Sequence, residues 1–171
     1  MSGPLLKEAP VLPPLPENVN ETFKILENNP VVKDALKQIK EEEQLTMADQ
    51  IALTEIEAPP FHEEVRAAYF ADRLRELGLT NVRIDREGNV IGIRPGKGNG
   101  PRLVLGAHLD TVFPAGTNVK VRREGTKYYA PGISDDARGL AVVLEVLRTL
   151  QNFNIQTEGD LLFIGLSLIH I

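Results

Sequence analysis

The sequence predicts an α/β fold with a central, mostly parallel sheet flanked by helices, on three observations. Several stretches place apolar residues at spacings of three and four. Two short apolar runs, "RLVLGA" and "DLLFIG", fit buried strands, and an alternating segment reads as a hairpin. Helices that alternate with buried strands are the pattern of an α/β sheet.

The elements follow in order. The start, "MSGPLLKEAPVLPPLPENVN", has four prolines between Pro10 and Pro16 and reads as an extended surface arm. From Pro30, Val31, Ala35, Leu36 and Ile39, then Leu45, Ala48, Ile51 and Ala52, mark two helices or one interrupted helix. "EAPPF" at 57–61 ends that pattern, because a residue before proline is pushed out of the helical region. "HEEVRAAYFADRLRELG" restarts it, with Val65, Tyr69, Leu74 and Leu77 on one face and Gly78 as the stop. "NVRIDREGNVIGIRPG" alternates on both sides of Glu87-Gly88-Asn89, as a hairpin does. "RLVLGA", the helix "LAVVLEVLRTL" and the strand at 160–165 complete the set.

Composition narrows the function. The 171 residues are 42% hydrophobic and 25% charged, which suits a globular domain with a real core. The net charge of −5 comes without a long basic run, so neither nucleic acid nor a membrane surface is an expected partner. There is no cysteine, which leaves histidine and carboxylate as the metal ligands. No stretch has the length and character of a signal peptide or membrane helix, so the expected location is cytoplasmic.

Two stretches carry possible chemistry. "LVLGAHLDTVFPAG" sets His108 and Asp110 two positions apart where a buried strand runs out, and neither type is common in full burial unless paired or bound. In an α/β sheet ligands collect at the carboxyl ends of strands. Residues i and i+2 share a side, so Asp110 can hold the His108 ring nitrogen that faces away from a ligand. A strand-end histidine bonded to a nearby aspartate is also a common structural feature. In "APGISDDARG", Asp135 and Asp136 open a helix, where one acid suffices as a cap; the other is free to face a cation. His62 reads as a surface or capping residue, since its acidic neighbours Glu63 and Glu64 diverge around the helix. The glycines of "GKGNG" precede a strand rather than a helix, which rejects a phosphate loop.

Taken together, "GAHLDTVFP" and "APGISDDARG" resemble the first two signatures of the dinuclear zinc peptidase superfamily, which includes peptidase T-like tripeptidases, glutamate carboxypeptidases, aminoacylases and succinyl-diaminopimelate desuccinylase. The similarity runs from about residue 46 to 165. The resemblance implies that His108 and Asp135 are zinc ligands, with Asp135 bridging two ions. It implies that Asp110 is the catalytic carboxylate that orients His108, that Asp136 supports the site, and that the Asp135–Asp136 peptide bond is cis. Cobalt or manganese could replace zinc. Ala137-Arg138 departs from the lysine or glycine that many members carry after the paired acids, and leaves the substrate class open. The implied reaction is hydrolysis of an amide bond in a small peptide or N-acyl amino acid, with a homodimer as the expected assembly of the full-length protein.

The glutamate pair that the superfamily places after the strand matching "DLLFIG" is absent; the chain instead reads "LSLIHI". That hexapeptide matches the translation of a transposase-type sequencing adapter. Residues 166–171 are therefore expected to be non-native, and His170 is not counted as a ligand. The expected organisation is a proline-rich arm and helical extension over 1–45, the amino-terminal part of a catalytic domain over 46–165, and this tail. The alternative is a non-catalytic α/β binding or assembly domain.

Overall fold

The computed structural model describes residues 16–167. The arm over 1–15, the end of the tail at 168–171 and His170 lie outside the described residues. Two compact units divide between Asp34 and Ala35.

In the first unit, helix α1 (Glu17–Asn28) starts directly after Pro16. The arm was expected to reach residue 20, but the prolines end at 16 and "ENVNETFKILEN" contains nothing to interrupt a helix. Helix α2 (Pro30–Glu41), within which the boundary falls, opens with proline at its first position, where a missing N–H costs nothing. Asn29 Oδ1 accepts the amides of Val31 and Val32 at 2.9 and 3.3 Å and caps it.

In the second unit, α3 (Glu43–Thr54) is a separate helix, so the interrupted pattern resolves into two. Its buried residues are Thr46, Asp49, Gln50, Leu53 and Thr54, whereas the expected face included Leu45, which is exposed. A similar correction holds for α4 (Glu64–Glu76): it buries Arg66, Ala67, Phe70, Ala71 and Leu74, and leaves Val65 exposed. Apolar spacing misplaced both faces because polar side chains with internal partners occupy them. Gly78, at φ 95°, ends α4 in the left-handed region, and Leu79 N–H closes back on the Leu74 carbonyl at 3.1 Å.

Strands β1 (Val82–Ile84) and β2 (Val90–Arg94) form the expected hairpin, paired antiparallel with Ile84 opposite Val90. Strand β3 (Leu103–His108) is followed by the small antiparallel pair β4 (Arg122–Glu124) and β5 (Lys127–Tyr129), then helix α5 (Ala137–Asn152) and β6 (Leu161–Leu166). The main sheet has the order β1-β2-β6-β3. Strands β3 and β6 are parallel, from Leu103 opposite Leu161 to His108 opposite Leu166. The hairpin docks on the other side of β6 with β2 antiparallel, so the sheet is mixed rather than mostly parallel among the described residues.

The core gathers Phe70 and Leu74 of α4, Leu140, Leu144 and Leu147 of α5, Val90 of β2 and Phe163 of β6, all at zero exposure. β3 is an edge strand, not the fully buried one its apolar run suggests, and Leu103 and Val104 are each 57% exposed. An apolar run shows that a strand belongs to a sheet, but not how many neighbours it has. No helix among the described residues is long and apolar enough to cross a membrane.

Candidate metal centre

His108 is the last residue of β3, and α5 begins beside it. The parallel β3–α5–β6 connection places a strand end and a helix start at one edge of the sheet, the usual place for a ligand in α/β folds. The four residues singled out in the sequence meet there.

His108 Nδ1 lies 2.9 Å from the Asp110 carbonyl and 3.2 Å from Asp110 Oδ1. Both partners only accept, so Nδ1 is the donor in these contacts. Nε2 lies 2.9 Å from Asp135 Oδ1. Asp136 does different work: Oδ1 accepts the Gly139 amide at 3.0 Å as the cap of α5, and Oδ2 accepts the His108 amide at 3.1 Å. A Cβ on Gly139 would lie 2.1 Å from Asp136 Oδ1, so the close cap requires glycine there. The adjacent acids thus divide as expected, with Asp136 as the cap and Asp135 facing outward with its side chain 84% exposed. The peptide bond between them is cis.

The electrostatics are those of a cation-seeking site. Burial alone would lower the His108 pKa, but the Asp135 hydrogen bond and the charges of Asp110, Asp136 and Asp135 outweigh it and raise it above the ordinary value. One imidazole faces three carboxylates. Among the described residues no group of three or more His, Asp or Glu side chains is set to hold a metal ion, so His108 and Asp135 form a two-donor set. An imidazole whose Nδ1 is held by Asp110 and whose Nε2 lies beside an exposed carboxylate is chemically suited to a divalent cation, which would take the place of the Nε2 proton.

The supporting residues escaped the sequence reading. Gln50 donates to the Ile133 carbonyl at 2.6 Å and accepts from Arg138 at 3.1 Å, which anchors the loop before Asp135 and gives Arg138 a role in holding it. Glu55 accepts the Val121 amide and Lys120 Nζ, and Glu57 accepts the Gly116 amide, so the loop after Asp110 is fastened to the α3–α4 connection. Thr111 donates its amide and hydroxyl to the Ala58 carbonyl at 2.8 and 3.2 Å. His62 is exposed in the turn before α4, as expected of a surface residue. A cavity of about 490 Å³ at the hairpin turn, bordered by Glu63, Asp85 and Ser167, holds none of the four site residues.

Residues 89–167 match the model of peptidase family M28. Carboxypeptidase G2 of Pseudomonas sp. (strain RS-16) is 38% identical over 52% of this chain and 23% of its own length. Succinyl-diaminopimelate desuccinylase of Corynebacterium glutamicum is 35% identical over 61% of this chain and 29% of its own. The chain therefore spans less than a third of the length of these relatives. Among solved structures, human carnosine dipeptidase 1 superposes with a TM-score of 0.69 at 12% identity, over 80% of this chain and 34% of that one. A tripeptidase from Staphylococcus aureus superposes at 0.62 with 24% identity, over 73% and 36%. At those identities the superpositions speak for the fold alone. The matches in sequence support the peptidase superfamily that the two motifs resemble.

Proposed function

We propose that this chain is the amino-terminal part of a metal-dependent peptidase or amidohydrolase that cleaves an amide bond in a small peptide or N-acyl amino acid. The observation that carries the reading is the convergence of His108 Nε2 and Asp135 Oδ1 at 2.9 Å, with Nδ1 held by Asp110. His108 and Asp135 would hold zinc, or cobalt or manganese, with Asp135 shared between two ions. Such ions supply an electrophile for the amide carbonyl and a water of lowered pKa. Asp110 keeps the His108 proton on Nδ1 and the opposite nitrogen bare. Asp136 fixes the His108 backbone and the start of α5, which sets the His108–Asp135 separation. The general base and remaining ligands belong to the portion of the protein that this chain does not span, and residues 166–171 are read as an adapter-derived tail. The whole protein is read as a cytoplasmic homodimer with no nucleic-acid or membrane partner.

The test starts from the genomic DNA beyond codon 165. The full-length product, loaded with zinc, cobalt or manganese, is assayed on di- and tripeptides and N-acyl amino acids, beside its His108→Ala and Asp135→Ala variants and the 171-residue chain. The expected result is turnover by the full-length protein that both substitutions abolish, with none from the short chain. A full-length product inactive across the panel would favour the binding-domain alternative.

A further inference from the structure

We infer that Arg66 is a positioning residue for this site: its buried guanidinium ties the α3–α4 connection to the segment between His108 and Asp110, and so fixes the direction in which the His108 ring presents Nε2. The inference rests on the proposed reading of Nε2 as a ligating atom.

Arg66 is fully buried on α4. Nη1 donates to the Leu109 carbonyl at 2.8 Å, while Nε and Nη2 donate to the Ile56 carbonyl at 3.1 and 2.5 Å. No carboxylate forms an ion pair with it among the described residues, which is unusual for a buried cation. Burial pushes its pKa down to about 10, and the charge of Asp110 acts in the opposite sense. Filling space alone would not require a charged side chain here. A planar fork of donors can satisfy two carbonyls from separate segments at once, which a lysine ammonium or an apolar side chain cannot reproduce.

Leu109 lies between His108 and Asp110, and its peptide groups are held on both sides. Its amide donates to the Leu166 carbonyl at 2.7 Å, and its carbonyl accepts from Arg66. The next peptide group carries Asp110, whose carbonyl and Oδ1 both accept from His108 Nδ1. Loss of the Arg66 bond frees the Leu109 carbonyl to turn, and with it the two acceptors that hold the proton on Nδ1 against the pull of Asp135 at Nε2.

The test uses the metal-free 171-residue chain at alkaline pH, where the imidazole is neutral, and reads the ring nitrogens by ¹⁵N NMR. With three histidines in the sequence, His108→Ala assigns the signals. The unaltered chain is expected to carry its proton on Nδ1. Arg66→Lys, checked for folding by circular dichroism, is expected to lower the Nδ1–H to Nε2–H ratio by about threefold or more, the scale of one lost hydrogen bond. Thr111→Val, which removes a nearby tie to Ala58, is expected to lower the melting temperature and leave the ratio alone. If Arg66→Lys melts too low to record, Arg66→Gln is read in the same way. An unchanged ratio in the folded Arg66 variant, an equal shift in Thr111→Val, or a parent that is mainly Nε2–H would each overturn the inference. Zinc titration of the full-length product separates the two readings: if the 171-residue chain shows the expected tautomer and the full-length product has no affinity for zinc, the metal proposal fails while the positioning role of Arg66 stands.

Discussion

Helix α5 borders two charged clusters that differ in balance. Along its middle, Arg148 bonds Asp49 and Glu145, Arg73 reaches Asp49 at 3.0 Å, and Thr46 and Thr149 complete Glu145 at 3.0 and 3.3 Å. Two cations meet two buried anions, with the exposed Glu76 also paired to Arg73, and Arg148, Asp49 and Glu145 are nearly buried. At its amino-terminal end one imidazole faces three carboxylates, and Asp135 is largely in solvent. The first cluster has no capacity left and holds α3, α4 and α5 together. The second has an excess of negative charge and an imidazole nitrogen paired with an exposed carboxylate. Charge balance and exposure separate a structural cluster from a binding one more clearly than the count of ionisable residues does.

The largest expected effect breaks the balanced cluster. Arg148→Met leaves Asp49 and Glu145 buried with fewer partners and should cost about 3–5 kcal/mol in urea denaturation. It should not alter zinc affinity by calorimetry in whatever fraction stays folded. Asp110→Asn is the converse: it should weaken zinc binding by about 10–100-fold, through loss of the His108 orientation, with little change in the urea midpoint. Asp136→Ala touches both regions, because the carboxylate caps α5 and holds the His108 amide; about 1–2 kcal/mol of stability should be lost. Equal effects of Asp110→Asn and Arg148→Met on zinc would erase the distinction.

The smallest effect is in pH. His108 is raised above its ordinary value of about 6.5 in the folded chain, so folding binds its proton more tightly. That contribution is complete below about pH 6.5, where both states are protonated, and is lost as pH rises through the folded value. The metal-free chain should therefore lose stability on passing upward through that window, and His108→Gln should flatten the loss. A rise in stability over the same window in the unaltered chain would contradict the carboxylate surroundings of the ring.

The site was more legible in the sequence than the packing. His108, Asp110, Asp135 and Asp136 are short-range patterns, two residues apart or adjacent, and their local geometry follows from strand alternation and helix capping. The hairpin, strands β3 and β6 and helix α5 were readable for the same reason. Arg66 was not, although it falls in the i, i+4, i+8 series with Phe70 and Leu74, because an arginine in an apolar row reads as an interruption. Its burial depends on two carbonyls that only the tertiary fold brings to it. The polar face of α3 was missed likewise, since Asp49 is satisfied by arginines 24 and 99 positions away. The place of β3 at the edge depends on which strands are present, which its own residues do not encode.

That edge has a further consequence. Leu103 and Leu109 donate toward the β6 side, to Asp160 and Leu166, so the amides of Val104, Gly106 and His108 face outward by alternation. Asp136 takes the last of the three. The carboxylate that caps a helix therefore also acts as a stopper on a strand template, and the open part of the template is confined to Val104 and Gly106, away from the ring. Two chains that meet along β3 can zip over that short length and halt before the imidazole, so self-association of concentrated protein should leave His108 accessible. Val104→Lys should suppress the association, and Asp136→Ala should let it run through to the site.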